Sequence, residues 1–351
     1  MPKKKKTLPK NFDELIEAGD IAALKKVFDQ CEWDARGGYS KSTALSFYNI
    51  PAELVSWLVE QGADINAKDN HQRTPLHNHA MSWCGHTELL LDLGADIEAV
   101  DYRGETPLFS AAASFKPEAV NILVTRGADI SVRNGMGQTP LEKALSVCKN
   151  INIVGMAEIA ELLLTAGNTI TAKMKSDVQK IGSEFEFHRA GFNKEYLPQT
   201  DKALSHLYEQ FDVTPVGQRK MHDGISPITV SATNWREQHD ELWSWLIPSK
   251  GHAQTVQGEV IRITGKISYE ILDNGASNWD NDFRKMLRSL TEYFKQGTPF
   301  STTLLEEVEV LTRSLHNGDS DIEAARLCEL AVDWVRNNPN PILMEQPDYK
   351  R

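Results

Sequence analysis

Five residues of the kinds that bind zinc sit close together in the first half of the chain: His71, His77, His79, Cys84 and His86. Imidazole nitrogen and thiolate are common zinc ligands. However, the chain contains neither His-Glu-x-x-His nor a Cys-x-x-Cys pair. A second group, Gln238-His239-Asp240-Glu241, has the residue types of an acid–base site. On a helix such neighbours fan out to different faces, so they read as a solvated polar face. In His222-Asp223-Gly224 a His–Asp pair is conceivable, but Asp-Gly is first a turn signal. There is no Walker loop, no Gly-x-Gly-x-x-Gly after a strand and no Gly-x-Ser-x-Gly elbow. The residues point away from catalysis, and neither a metal nor a cofactor is expected.

The elements around these residues explain them better. Gly-Ala-Asp recurs at Gly62-Ala63-Asp64, Gly94-Ala95-Asp96 and Gly127-Ala128-Asp129, with a worn copy at Ala166-Gly167-Asn168. In step with it run Thr74-Pro75-Leu76-His77, Thr106-Pro107-Leu108-Phe109 and Thr139-Pro140-Leu141-Glu142, after a degenerate Thr43-Ala44-Leu45. Thr43, Thr74, Thr106 and Thr139 are 31, 32 and 33 residues apart. Such a period means a stacked array of helix pairs and not one closed core. Each proline suits the first turn of a helix, where its missing N–H costs nothing. The threonine before it suits the cap, and each glycine suits a left-handed C-cap after a second helix.

These phrases, with Asp101, Gly104, Thr106, Pro107 and Leu108 intact and Leu90-Leu91 before Gly94, resemble the ankyrin repeat over about residues 10–170. The resemblance implies about four repeats and an N-terminal cap at residues 11–31. It gives His77 and His86 local hydrogen-bonding roles in place of metal binding. It also implies a non-catalytic array that binds another protein at hairpin tips and on the exposed side of the first helices. On this chain those positions are Lys68, Asn70, His71 and Arg73, then Tyr102, Arg103 and Glu105, then Met136 and Gln138. The first helices add Met81, Ser82, Ser114 and Phe115. His79 stands where alanine is usual, and Trp83 near the inter-helix glycine, so this repeat is expected to be distorted. The last repeat carries extra residues near 149–154, between its two helices.

Composition limits the remaining choices. The chain of 351 residues has a formal net charge of −11. Residues 1–170 hold 17 Lys+Arg and 22 Asp+Glu, or −5, leaving −6 for the rest. An acidic body argues against general nucleic-acid binding and favours encounter with a basic protein. Residues 1–9, with Lys3, Lys4, Lys5 and Lys6, read as a disordered basic tail. No apolar run is long enough to span a bilayer, and the start lacks the apolar stretch of a secretory signal. A cytoplasmic location is expected, without membrane binding, and with Cys31, Cys84, Cys148 and Cys328 as buried free thiols.

After residue 170 the phrases stop and helical stripes continue. They are Met174, Val178, Ile181 and Phe185; Leu204, Leu207, Tyr208 and Phe211; Val256, Val260, Ile263, Ile267 and Ile271. Phe283, Met286, Leu287, Leu290 and Phe294 follow, then Leu304, Leu305, Val308, Leu311 and Leu315, ending at Asn317-Gly318. Ile322, Ala325, Leu327, Ala331, Trp334 and Val335 close the set. The predicted fold is therefore all-α, a solenoid at 10–170 followed by a helical bundle at 171–351. Residues 212–234 are loop-rich, with a short strand-like alternation at Pro227, Ile228, Thr229 and Val230. Trp243 and Trp245 cannot share a helix face, so one of them is expected at a seam or exposed. Glu259-Val260-Ile261-Arg262 and Asn278-Trp279-Asp280 are similar to a region of uncharacterised bacterial ankyrin proteins, which implies no activity.

Three functions remain open on the sequence. The first is a protein-binding module, in its sharper form a bacterial immunity protein that occludes a basic toxin such as a nuclease. The second is an enzyme or effector whose array targets a C-terminal catalytic domain; it requires a pocket within 190–351 lined by convergent polar groups. The third is a two-sided scaffold.

Overall fold

The computed structural model describes residues 3–315 and 321–351, so the expected stop at Asn317-Gly318 lies outside the described residues, as do Met1 and Pro2. The chain forms two compact units, one of residues 1–185 and 193–216, the other of residues 186–192 and 217–351.

The first unit opens with β1 (Lys5–Thr7), α1 (Phe12–Ala18) and α2 (Ile21–Gln30), then β2 (Cys31–Gly37) and β3 (Ser42–Thr43). β2 is central, parallel to β1 and antiparallel to β3. The segment expected to be a disordered tail is therefore ordered from residue 3 onward. Its lysines are partly used inward: Lys4 Nζ donates to Phe28 O at 2.7 Å and sits 4.2 Å from the Trp33 ring centroid. Leu8 is buried, and its N–H donates to Arg36 O. A buried leucine and a cation–π contact are reasons enough for a short basic strand to dock.

The helix pairs follow. The degenerate first copy has only a short 3-10 turn, Ala44–Ser46, before α3 (Ala52–Glu60). Then come α4 (Pro75–Ala80) with α5 (Thr87–Asp92), α6 (Pro107–Ala113) with α7 (Pro117–Thr125), and α8 (Pro140–Val147) with α9 (Ile153–Thr165). Each Thr-Pro starts a helix as predicted. In α8 the Thr139 and Glu142 side chains cap each other's backbone N–H groups, a reciprocal capping box. Leu76, Leu108 and Leu141 are fully buried. Gly62, Gly94 and Gly127 have φ of 93°, 93° and 88°, the left-handed conformation that closes a helix and that a side chain resists.

Two further helices, α10 (Ala172–His188) and α11 (Leu197–Phe211), carry the first two apolar stripes beyond residue 170. α11 packs on α9, so the first unit extends well past the boundary predicted at 170. The reason is that α9 presents a second apolar face, and the stripe of Leu204, Leu207, Tyr208 and Phe211 buries it.

The second unit contains α12 (Trp235–Leu246), α13 (Val256–Leu272), α14 (Asn281–Tyr293), α15 (Thr302–Ser314) and α16 (Asp321–Asn337). α13 is central, packed against α12, α14 and α16; its predicted stripe is buried, and so are Gln257, Glu259, Ile261, Arg262, Thr264 and Glu270. Trp334 is fully buried. Trp243 and Trp245 both pack half-buried against this core, and neither is exposed. No strand forms at Pro227–Val230; instead Ile228 buries its side chain and its N–H donates to Pro339 O. Ile322, counted in the last stripe, is exposed.

Candidate functional site

Three hairpins project from the array, each held by one side chain. Asp69 Oδ1 accepts from the N–H groups of His71 and Arg73, Asp101 Oδ1 from those of Arg103 and Glu105, and Asn134 Oδ1 from those of Met136 and Gln138. An Asp or Asn side chain folded back on its own turn fixes the tip. The tips are then stitched together: Asn70 N–H donates to Ser40 O, Tyr102 N–H to His71 O and Gly135 N–H to Arg103 O. A row of side chains is thereby held at regular spacing along one edge.

The predicted contact residues divide on this scaffold. Tyr102 (57 % exposed), Arg103, Asn70, Lys68 and Met136 (78 % exposed) project. Tyr102 and Arg103 form a unit with half-buried His71: Arg103 Nε donates to Tyr102 Oη at 2.7 Å, the guanidinium lies 5.2 Å from the Tyr102 centroid, and the His71 ring is 5.8 Å from it. This cluster holds an aromatic face and a cation together at a tip. Lys68 Nζ reaches Val100 O, and Met81, Ser82 and Ser114 are half-buried at helix ends. Gln138 Nε2 lies 3.5 Å from Ser146 Oγ.

Other predicted residues are engaged within the array. Glu105 accepts from Asn134 Nδ2 through its carboxylate at 3.0 Å, and its main-chain O bonds His77 Nε2. Arg73 pairs with buried Asp69 at 3.5 Å. Phe115 is a correction: it is buried, with a left-handed φ of 56°. α6 ends two residues earlier, at Ala113, and the left-handed turn carries the ring into the core, out of reach of a partner.

The distorted repeat is built around histidines. His77 Nδ1 accepts from Thr74 N–H, so Nε2 carries the proton and donates to Glu105 O. His79 Nδ1 accepts from His86 N–H at 2.8 Å, and Nε2 donates to Leu45 O at 2.9 Å. His86 Nε2 bonds Ile50 O. Both nitrogens of His77 and of His79 are thus spent on the scaffold. Burial holds the His77 pKa down and lowers that of His79 to about 4. Trp83 is 73 % exposed, and Lys116 of the next repeat lies 3.6 Å from its ring centroid. Cys84 is exposed, unlike the other three free cysteines. The extra residues near 149–154 form a 3-10 turn, Asn150–Asn152, with Ile151 exposed.

A concavity that the sequence did not single out lies beside the first tip. It holds about 390 Å³ and is lined in part by Asp13, Glu17, Tyr39, Tyr48, Asn78 and Met81. Tyr39 is 95 % exposed. Its residues come from the N-terminal cap, the β2–β3 turn, the loop before α3, the first hairpin and the α4 segment, with no common motif, so no spacing could have linked them. The other chemical candidates resolve locally. Asp223 closes a turn through the N–H groups of Ile225 and Ser226. In the second unit Gln238 and His239 are buried, whereas Glu241 accepts from the N–H groups of Ser231 and Ala232. Among the described residues no group of three or more His, Cys, Asp or Glu is arranged to hold a metal, and no helix is long and apolar enough to cross a membrane.

The comparison with family models agrees with the repeat spacing. The family model for ankyrin repeats matches residues 42–134 in three copies. A crystal structure of an ankyrin repeat domain from Acinetobacter baumannii AYE is 25 % identical, covering 56 % of this chain and 96 % of that one, with a TM-score of 0.41. A search of curated proteins returns no match. Residues 42–134 of this chain match three ankyrin repeats, which indicates a protein–protein interaction module.

Proposed function

We propose that this chain is a non-catalytic cytoplasmic binding protein whose hairpin edge and first-helix side take a basic protein partner. In the sharper form it is a bacterial immunity protein that occludes a basic toxin such as a nuclease. The observation that carries the reading is the row of exposed side chains on stitched tips, with the His71, Tyr102 and Arg103 cluster at its centre. Tyrosine and arginine on a preorganised support are the types that dominate interfaces. Asp13 and Glu17 beside Tyr39 and Tyr48 add acid and aromatic surface at one end, and the net charge of −11 favours a basic partner.

Affinity capture from the source cell, repeated with Tyr102→Ala and Arg103→Ala, tests the reading. Loss of about tenfold or more in affinity is expected for each, as for interface anchors worth at least ~1.4 kcal/mol. Retention of the partner by both variants overturns the placement on this edge. A captured partner that is acidic, or a gene neighbourhood without a secreted toxin, overturns the immunity form.

A further inference from the structure

The second unit holds a cavity of about 540 Å³ between α12 and α13, floored by α16. Its size is that of a small-molecule site. Three aromatic side chains line it, Trp235 and Trp243 from α12 and Tyr269 from α13, with Cys328 of α16 at the floor. The depth depends on Gly265. A Cβ there would come within 2.4 Å of Trp243 Cζ3 and 3.1 Å of His239 Cε1. Glycine therefore lets the indole lie directly against the helix, with the rings of Phe187 and His239 each 6.4 Å from it.

Four charged groups line the same cavity: Arg236, Asp240, Lys266 and Asp273. Arg236, Asp240 and Asp273 are exposed residues, Arg236 lies over its neighbour Trp235 at 4.6 Å, and burial, with Glu237 beside it, raises the Asp240 pKa. Lys266 is half-buried. Around it on α13 and the chain terminus stand Arg262, Glu259 and Arg351, of which Glu259 is already bound by Arg262. Burial holds its ammonium below its ordinary pKa. Charges at an exposed rim are screened, whereas a half-buried charge acts at lower effective dielectric. Lys266 is therefore the half-buried charge of the lining, set against Asp273 at the rim and an Asp240 whose charge burial disfavours.

We infer that this cavity is a binding site for a flat aromatic acid, its ring between the Trp235, Trp243 and Tyr269 side chains and its carboxylate or sulfonate on Lys266. The ligand supplies the counter-ion that Lys266 lacks in a place where water is partly excluded. Both tryptophans that line the site are built-in reporters. This inference concerns the second unit alone and stands independently of the protein-binding edge.

The test is titration of the full chain with pyrene-1-sulfonate, a flat aromatic acid, followed by energy transfer from tryptophan. The planar cation proflavine serves as the opposite-charge probe. Saturable one-site binding of the sulfonate is expected. Lys266→Met is expected to weaken it about tenfold or more, the size of a lost charge-assisted hydrogen bond. Ser268→Trp, which fills the cavity, is expected to abolish it, and Tyr269→Ala on the exposed side weakens it without touching the core. The inference is overturned by unchanged affinity in Lys266→Met, by tighter binding of proflavine than of the sulfonate, or by the absence of saturable binding.

Discussion

At the scale of single residues, the histidines show how a chemical type can mislead. His77, His79 and His86 look like ligands in one dimension. In three dimensions each closes hydrogen bonds between neighbouring repeats. His79 is buried and neutral, with its pKa lowered to about 4 from 6.5 by desolvation. The unfolded chain binds this proton more readily, so stability rises with pH across that range. It is lost as pH falls from about 6.5 to about 4, and protonation also sets Nδ1–H against His86 N–H. Urea melts at pH 7 and pH 4.5 are expected to show roughly 2–3 kcal/mol less acid loss in His79→Ala than in the native chain. An equal loss in both would remove His79 as the cause. Phe115 gives the reverse lesson: the repeat phrase placed it on an exposed helix end, but a single left-handed residue sent it inward.

At the scale of elements, the phrases translated directly into helices because each letter has a local job. Capping, the first-turn proline and the left-handed C-cap depend on backbone geometry within a few residues, which spacing reports well. Gly94 illustrates this, since nothing lies within 4 Å of an added Cβ and only its φ of 93° resists substitution. Gly94→Ala is expected to cost about 1 kcal/mol, read as a lowered urea midpoint without change of slope. β1 was illegible for the opposite reason. Four lysines in a row have no period, and the strand exists because Leu8, Trp33 and β2 receive it. Replacing Leu8 with Asp is therefore expected to lower the melting temperature by several degrees, whereas a free tail would tolerate the change.

For the whole molecule, the division into units is the main departure from the sequence reading. The repeat phrases end near residue 168, but the first unit takes in α10 to Phe185 and then α11. A fragment of residues 1–216 is expected to melt cooperatively. One of residues 1–170 leaves the α9 face bare where α11 packs, and it is expected to self-associate, read by sedimentation.

What the sequence determined by itself was the repeat, its period and the helices it encodes. These are local or periodic properties, and a linear string records both. An apolar stripe announces that a face is buried but not against what, so the destinations of α11 and β1 required the tertiary structure. So did every surface assembled from distant segments. Asp13 joins Tyr39, Tyr48 and Met81 in one concavity, and Trp235 joins Lys266 and Cys328 in another. Contacts between residues far apart in sequence are set by packing, and no spacing rule carries them.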